Sequence, residues 1–246
     1  MRTNNYWIPH REPGGEFEVE DELEAEEQHA FVALSTELWH RRTGHISPER
    51  LAELQKTAVG IETKKDKDFF CESCATCKSV RKKAGKEVSN RNLHPFHKIG
   101  CDIWTSVTTS IQGHNYMLGF SCYATSFAYL FFMKTKDKAP SHLERYLQLI
   151  TTRGFSVERI RMDSDTVFKS EDWRELLGQY TVTAEYANPH TPTENGLQER
   201  TWGMLTPIME AMLHTAQLPK TYWDFAVGAA CYLHNRTPHR TRGDSN

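Results

Sequence analysis

The sequence predicts an α/β domain built on a mixed sheet, preceded by a small helical module held together by a metal. Three observations carry this. Three β-rich runs succeed one another between residues 99 and 133, strands then alternate with helical segments to residue 234, and two histidines precede a Cys-x-x-Cys pair ahead of the sheet. Hairpin succession followed by alternation is the element order of a mixed sheet. Two imidazoles and two thiolates are the N and S donors that tetrahedral zinc takes.

Composition is compatible with this class. The 246 residues are 38% hydrophobic and 25% charged, enough to bury a core, which excludes wholly disordered, collagen-like and disulfide-rich chains. The net charge of −2 hides a split: residues 1–30 hold two Arg against nine Asp or Glu, net −7, which leaves 28 basic against 23 acidic residues in the rest, net +5. Residues 16–27 are mostly acidic with little apolar content, so residues 1–30 read as an acidic disordered tail or linker. No basic segment followed by an apolar one opens the chain, so a secretory signal is not expected and the six Cys need not form disulfides.

Residues 31–80 read as the metal module. Phe31, Leu34 and Leu38 recur at helical spacing up to Trp39 and His40, and Gly44 ends that helix. Ser47 caps a second helix with Pro48 at its first position, where the missing N–H would be unpaired anyway. Leu51 and Leu54 then face inward, and Gly60 closes the helix. So few apolar residues cannot hold two short helices together, and a bound metal would supply the folding free energy, about 10 kcal/mol or more. The ligands expected for one Zn²⁺ are His40, His45, Cys71 and Cys74, with Cys74 and Cys77 left open as a rival pair. Cys101, Cys122 and Cys231 sit among apolar residues and read as small buried hydrophobes.

A basic linker over residues 81–96 follows. Between residues 78 and 98, Lys78, Arg81, Lys82, Lys83, Lys86, Arg91 and Lys98 face a single acid, Glu87, net +6. Lys and Arg in such a run neutralise phosphates and give sequence-tolerant, salt-dependent DNA binding, although a solvated linker has the same composition.

Residues 97–246 read as the sheet domain. A first strand covers residues 99–104. The 18 uncharged residues 116–133 match a membrane span in length, but Gly119, Ser121, Thr125, Ser126, three Tyr and a break at Ala124-Thr125 make them two hairpin strands, 116–123 and 127–133. A helix around 141–152, a strand at 157–162, a helix around 170–178 and a short strand near 181–184 follow. A loop over 188–195 then leads into two long helical segments, 196–215 and 219–234.

Three carboxylates stand out in this domain. Asp102 interrupts an apolar strand, where a charge is costly unless paired or metal-bound. Asp163 ends another apolar strand, and strand C-terminal ends are where α/β sheets build ligand sites. Glu199 opens a helix and falls off its apolar stripe of Leu197, Leu205, Ile208, Met209 and Met212. Carboxylates from two strands and a helix can hold two divalent ions, although any one buried Asp can equally be a salt bridge or a cap. Asp165, on the same face as Asp163 if the strand continues, and Glu194 are nearby decoys.

Between Asp163 and Glu199 lie 35 residues, which include Asn188-Pro189-His190-Thr191-Pro192-Thr193-Glu194-Asn195-Gly196 ahead of Glu199-Arg200. This region closely resembles the integrase core of copia-type LTR retrotransposons. The resemblance extends through Leu218-Pro219 to Trp223, then Ala226, Ala230, Tyr232-Leu233 and Asn235-Arg236-Thr237-Pro238. Upstream, Trp39-His40, Gly44-His45 and the stretch from Cys71 to Lys78 resemble that family's pre-integrase zinc domain, in which Cys71 and Cys74 match the ligands and Cys77 a small-residue position. One departure is Val167, where the family usually has an acid before Phe168.

The resemblance implies a ribonuclease H-like mixed five-stranded sheet with flanking helices, with Asp102, Asp163 and Glu199 as catalytic ligands of two Mg²⁺ or Mn²⁺ ions. It implies 3′-end processing of element DNA followed by strand transfer into host DNA. The expected DNA contacts are Lys78, Arg81, Lys82, Lys83, Lys86, Asn195 and Arg200. Element ends and host target DNA are the expected partners, together with further copies of the chain and the reverse transcriptase of the same polyprotein; no membrane is expected. The implied setting is nuclear during integration and cytoplasmic, in virus-like particles, before it. Because the chain ends at Asn246, soon after the last core helix, the core is expected to be C-terminally truncated. The alternative is a catalytically silent or host-recruited remnant that binds zinc and nucleic acid.

Overall fold

A computed structural model describes residues 34–63, 69–78, 94–187 and 196–237; for residues 196, 198 and 199 it describes the backbone alone. Three short helices come first: α1 (Thr36–Arg42), α2 (Pro48–Thr57) and α3 (Glu72–Cys77). Helix α1 starts later than its apolar spacing suggests, because the Ser35 hydroxyl accepts from Leu38 N at 3.1 Å and caps it there. Leu34 lies outside the helix in a bridge to Thr63, and Leu38 is exposed. Helix α2 starts as expected, with Ser47 accepting from Arg50 N and Leu51 and Leu54 buried. Helix α3 was not foreseen, since a six-residue turn has no readable periodicity.

The sheet domain contains β1 (Lys98–Thr105), β2 (Tyr116–Cys122), β3 (Ala128–Met133), α4 (Ala139–Thr152), β4 (Arg159–Met162), α5 (Glu171–Gln179), β5 (Thr183–Tyr186), α6 (Gly196–Thr215) and α7 (Trp223–His234). The five strands lie in the order β3-β2-β1-β4-β5. The first three are antiparallel neighbours, and β4 and β5 add in parallel. The uncharged stretch 116–133 is therefore a hairpin, and among the described residues no helix is long and apolar enough to cross a membrane.

Side-chain alternation along the strands builds two layers. On one face Ile99, Cys101, Leu118, Phe120, Ile160 and Met162 are buried under α4 and α5, where Phe120 stacks on Tyr146 at 4.2 Å. On the other, Met117, Ala128 and Leu130 pack against α6 and α7. Phe96, which the sequence reading leaves in the linker, belongs to the first layer: it packs against Phe127 and Phe155 and donates its N–H to Cys122 Sγ.

The N-terminal helices have a much smaller core of their own, Ile46, Leu51 and Leu54 with Trp39, Ala58 and Ile61 around them. They also lean on the sheet domain. Gly44 has φ +75°, and a Cβ there would sit 3.0 Å from Leu233 Cδ1 and 3.2 Å from Met212 Cε, so only glycine satisfies both the turn and the close approach. Arg50 adds a bond to Thr237 Oγ1 at 3.1 Å.

Candidate functional site

Two centres emerge, one in each part of the chain. In the first, His40 Nε2, His45 Nδ1, Cys71 Sγ and Cys74 Sγ converge, all within 4.8 Å of one another. The end of α1 presents His40. The chain then reverses through Gly44 and His45, both in the left-handed region, which turns His45 back onto His40. Cys71 and Cys74 come from the start of α3, one turn apart.

The spacing fits a tetrahedral ion. The two nitrogens are 3.1 Å apart, Cys71 Sγ is 3.4 Å from His45 Nδ1, and Cys74 Sγ is 3.3 and 3.6 Å from the two imidazoles. Zn–N and Zn–S bonds of about 2.1 and 2.3 Å at tetrahedral angles imply edges of roughly 3.3–3.8 Å. The tautomers agree as well. His40 Nδ1 lies 2.8 Å from the Ile46 carbonyl and His45 Nε2 lies 3.1 Å from Thr215 Oγ1, so each ring's proton belongs on the outward nitrogen. Two bare nitrogen lone pairs then face each other, an arrangement that repels unless a cation lies between them.

Burial tunes the same groups. It lowers the His40 pKa and, with His40 and Lys78 beside it, lowers His45 to about 4. It also pushes the Cys74 thiol up to about 11. Without metal the two imidazoles and the Cys74 thiol are neutral at pH 7, and an ion must displace the Cys74 proton. Among the described residues this is the one group of three or more His, Cys and carboxylate side chains close enough to hold an ion together; Cys77 lies outside it.

The second centre is carboxylate. Lys98, Ile99 and Gly100 of β1 pair with Arg159, Ile160 and Arg161 of β4, and the same offset carried two residues further sets Asp102 level with Asp163. Adjacent strands are about 4.8 Å apart, so the two carboxylates emerge side by side on the face that meets α6. Burial raises the Asp102 pKa, and the charge of Asp163 raises it further against a lowering by Trp202. A divalent cation relieves such mutual repulsion. Asp163 Oδ1 accepts from Asp165 N at 2.9 Å. Asp165 itself is committed elsewhere: it pairs with Lys136 at 2.6 Å and caps Val167 N at 3.1 Å, so it is not part of the pair.

Glu199 lies on the first turn of α6, and its side chain is outside the described residues, so no distance to the aspartates follows. One turn along, Trp202 ties that helix to the site, its Nε1 donating to Asp102 Oδ2 at 2.8 Å. Opposite Asp102 in β2 stands Gly119, where a Cβ would fall 2.1 Å from Trp202 Cη2. The missing side chain is what lets the indole lie on the sheet. The pairing of these two residues has no local signal in the sequence, although a glycine inside an apolar strand is a recognisable mark of close approach.

The expected DNA contacts are only partly placed. Arg81, Lys82, Lys83, Lys86 and Asn195 lie outside the described residues, and Arg200 is exposed on α6. Lys78 turns the other way: its Nζ donates to the His45 carbonyl at 2.6 Å and burial lowers its pKa, so it braces the zinc cluster.

Comparison with known proteins agrees with this geometry. Residues 27–79 match the GAG-pre-integrase domain. The chain is 29% identical over 207 residues to a retrovirus-related Pol polyprotein from transposon TNT 1-94 of Nicotiana tabacum, covering 83% of this chain and 16% of that one. To the corresponding polyprotein from transposon RE1 of Arabidopsis thaliana it is 27% identical over 201 residues, covering 81% and 14%. The chain thus spans less than a fifth of the length of these relatives. A chain of the simian T-cell lymphotropic virus intasome, solved with the PP2A regulatory subunit B56 gamma, superposes with a TM-score of 0.52 at 20% identity over 70% of this chain and 61% of that one, a likeness of fold. A pre-integrase His-His-Cys-Cys module ahead of a ribonuclease H-like five-stranded sheet makes this chain similar to the integrase region of copia-type retrotransposon polyproteins, as its motifs led us to expect.

Proposed function

We propose that this chain is a metal-dependent polynucleotidyl transferase that trims the 3′ ends of element DNA and joins them to host DNA. The observation that carries the reading is the parallel pairing of Lys98–Gly100 with Arg159–Arg161, two residues ahead of Asp102 and Asp163, together with the Asp163 charge felt at Asp102. Two Mg²⁺ or Mn²⁺ ions held by Asp102, Asp163 and Glu199 would activate the attacking oxygen and stabilise the leaving one. The protein's own part is positional. The sheet sets the spacing of the two aspartates, Trp202 orients Asp102, and Asp163 is steadied by the Asp165 N–H. Arg81, Lys82, Lys83, Lys86, Asn195 and Arg200 would contact DNA phosphates, and one Zn²⁺ on His40, His45, Cys71 and Cys74 would hold the N-terminal module. Joining two DNA ends in concert needs more than one active site, so the working form is an oligomer on DNA. Reverse transcriptase of the same polyprotein is a further candidate partner. Particle-borne cytoplasmic and then nuclear location follows from the same reading.

The test is divalent-dependent nicking of element-end oligonucleotides by purified protein. Asp102→Asn, Asp163→Asn and Glu199→Gln are each expected to abolish product while zinc content and folding survive; activity retained in any of them removes that residue from the site. A silent zinc- and nucleic-acid-binding module is the second reading, favoured by one observation: the Trp202 indole already occupies an oxygen of Asp102. It predicts DNA binding with no product in Mg²⁺ or Mn²⁺.

A further inference from the structure

We propose that Thr215, at the last turn of the helix bearing Glu199, is a positioning residue for the zinc ligand His45, and that metal binding in turn holds that helix. This rests on the zinc reading above. The contacts form a chain: His45 Nε2 lies 3.1 Å from Thr215 Oγ1, Thr215 Oγ1 donates to Ser73 Oγ at 2.8 Å, and Ser73 Oγ lies 3.0 Å from His214 Nδ1. Donors and acceptors fall in one consistent order. With His45 Nδ1 facing the metal, its Nε2–H donates to Thr215, the Thr215 proton goes to Ser73, and the Ser73 proton goes to His214 Nδ1.

The arrangement is not one a helical threonine makes by default. Thr201 on the same helix donates to its own Leu197 carbonyl at 3.0 Å, whereas Thr215 donates to a different element. His45 and Ser73 are both buried, at 3% and 8% exposure, so an unpaired N–H or hydroxyl there is costly. Ser73 sits between Cys71 and Cys74, so the same hydroxyl pair ties both ligand-bearing segments to α6. Thr215 and Glu199 are sixteen residues apart on one helix, a span of about 24 Å with Pro207, which lacks an N–H for the helical ladder, at its middle. A metal ligand's outer partner thus belongs to the element that positions a proposed catalytic carboxylate, and coupling between two such sites is reciprocal.

The experiment uses the whole chain. Zinc affinity is read by competition with a chromogenic chelator in wild type, Thr215→Val and Thr215→Ser, and amide exchange along α6 is followed with zinc bound and stripped. Valine keeps the shape but leaves His45 Nε2–H without an acceptor. We expect Thr215→Val to bind zinc about 10–100-fold more weakly, with serine restoring the affinity. We further expect zinc to slow exchange toward the C-terminal turns of α6 in wild type and to do so less in the valine variant. Equal affinity in Thr215→Val, or α6 exchange indifferent to zinc, overturns the proposal. A wild-type chain that binds no zinc overturns it as well, and is recognised as a failure of the zinc reading itself because it shows before any variant is compared.

Discussion

The His-His-Cys-Cys module and the carboxylate pair are both candidate metal sites, yet they are organised by different forces. The carboxylate pair is set by a sheet whose register would hold with or without an ion, because it stands on the larger hydrophobic core. Among the described residues the module has three buried apolar residues of its own, and its four donors are brought together by a chain reversal at Gly44 and His45 and by bonds to α6. The difference teaches where a metal's free energy would go on the proposed reading: into folding in the module, and into charge neutralisation at Asp102 and Asp163.

That contrast breaks most visibly when the metal is removed. Cys74→Ser, His45→Ala or a strong chelator should release zinc and unfold residues 34–78, a loss on the order of 10 kcal/mol of metal-binding free energy, while sheet amides stay protected in hydrogen exchange. Module protection surviving zinc removal would show that its small core suffices. A smaller effect is expected at Gly119→Ala, which drives a methyl into the Trp202 ring and should cost about 1–3 kcal/mol in urea unfolding. Adding Trp202→Ala should recover part of that loss, and strict additivity of the two would refute the contact. Next, Trp202→Phe removes the indole donor to Asp102 Oδ2 and should raise the Asp102 pKa, read by carboxyl NMR titration. An unmoved titration would mean that the indole bond does not form in solution.

Acidity sharpens the comparison with the gentlest perturbation, and the two centres respond with opposite sign. His40 and His45 lie below their ordinary value of 6.5 through burial, so the unfolded chain takes up protons first. The imidazole contribution to folding of the module is therefore complete above about pH 6.5 and is lost as pH falls toward 4. Asp102 is raised above 3.8, chiefly by burial, so its contribution is complete below that value and is lost as pH rises through the raised one. Zinc affinity, and the urea stability of wild type relative to Asp102→Asn, each followed between pH 4 and 7, check the two directions.

The strands and long helices were legible because their signals are local. The two β-rich apolar runs of 116–133, split at Ala124-Thr125, and the apolar stripe of residues 196–215 place β2, β3 and α6 closely. The Ser47-Pro48 start of α2 was likewise readable, since capping needs only neighbours. What stayed hidden depends on distant partners. The level alignment of Asp102 with Asp163 follows from a parallel register between strands some sixty residues apart, which no spacing reveals. Trp202 looks like one more apolar residue of a helix until Gly119 is seen opposite Asp102. Lys78 reads as the first charge of a basic run, yet its ammonium is drawn onto the His45 carbonyl by the fold of the module.

The central claim, that Asp102, Asp163 and Glu199 make one metal-dependent active site, is tested most directly by strand transfer. Zinc-loaded protein, pre-processed element-end oligonucleotides, target DNA and Mn²⁺ would be run beside the Glu199→Gln variant. The account predicts joined products from the wild type and none from the variant. Absence of product from folded, zinc-loaded wild type, or equal product from both, would contradict it.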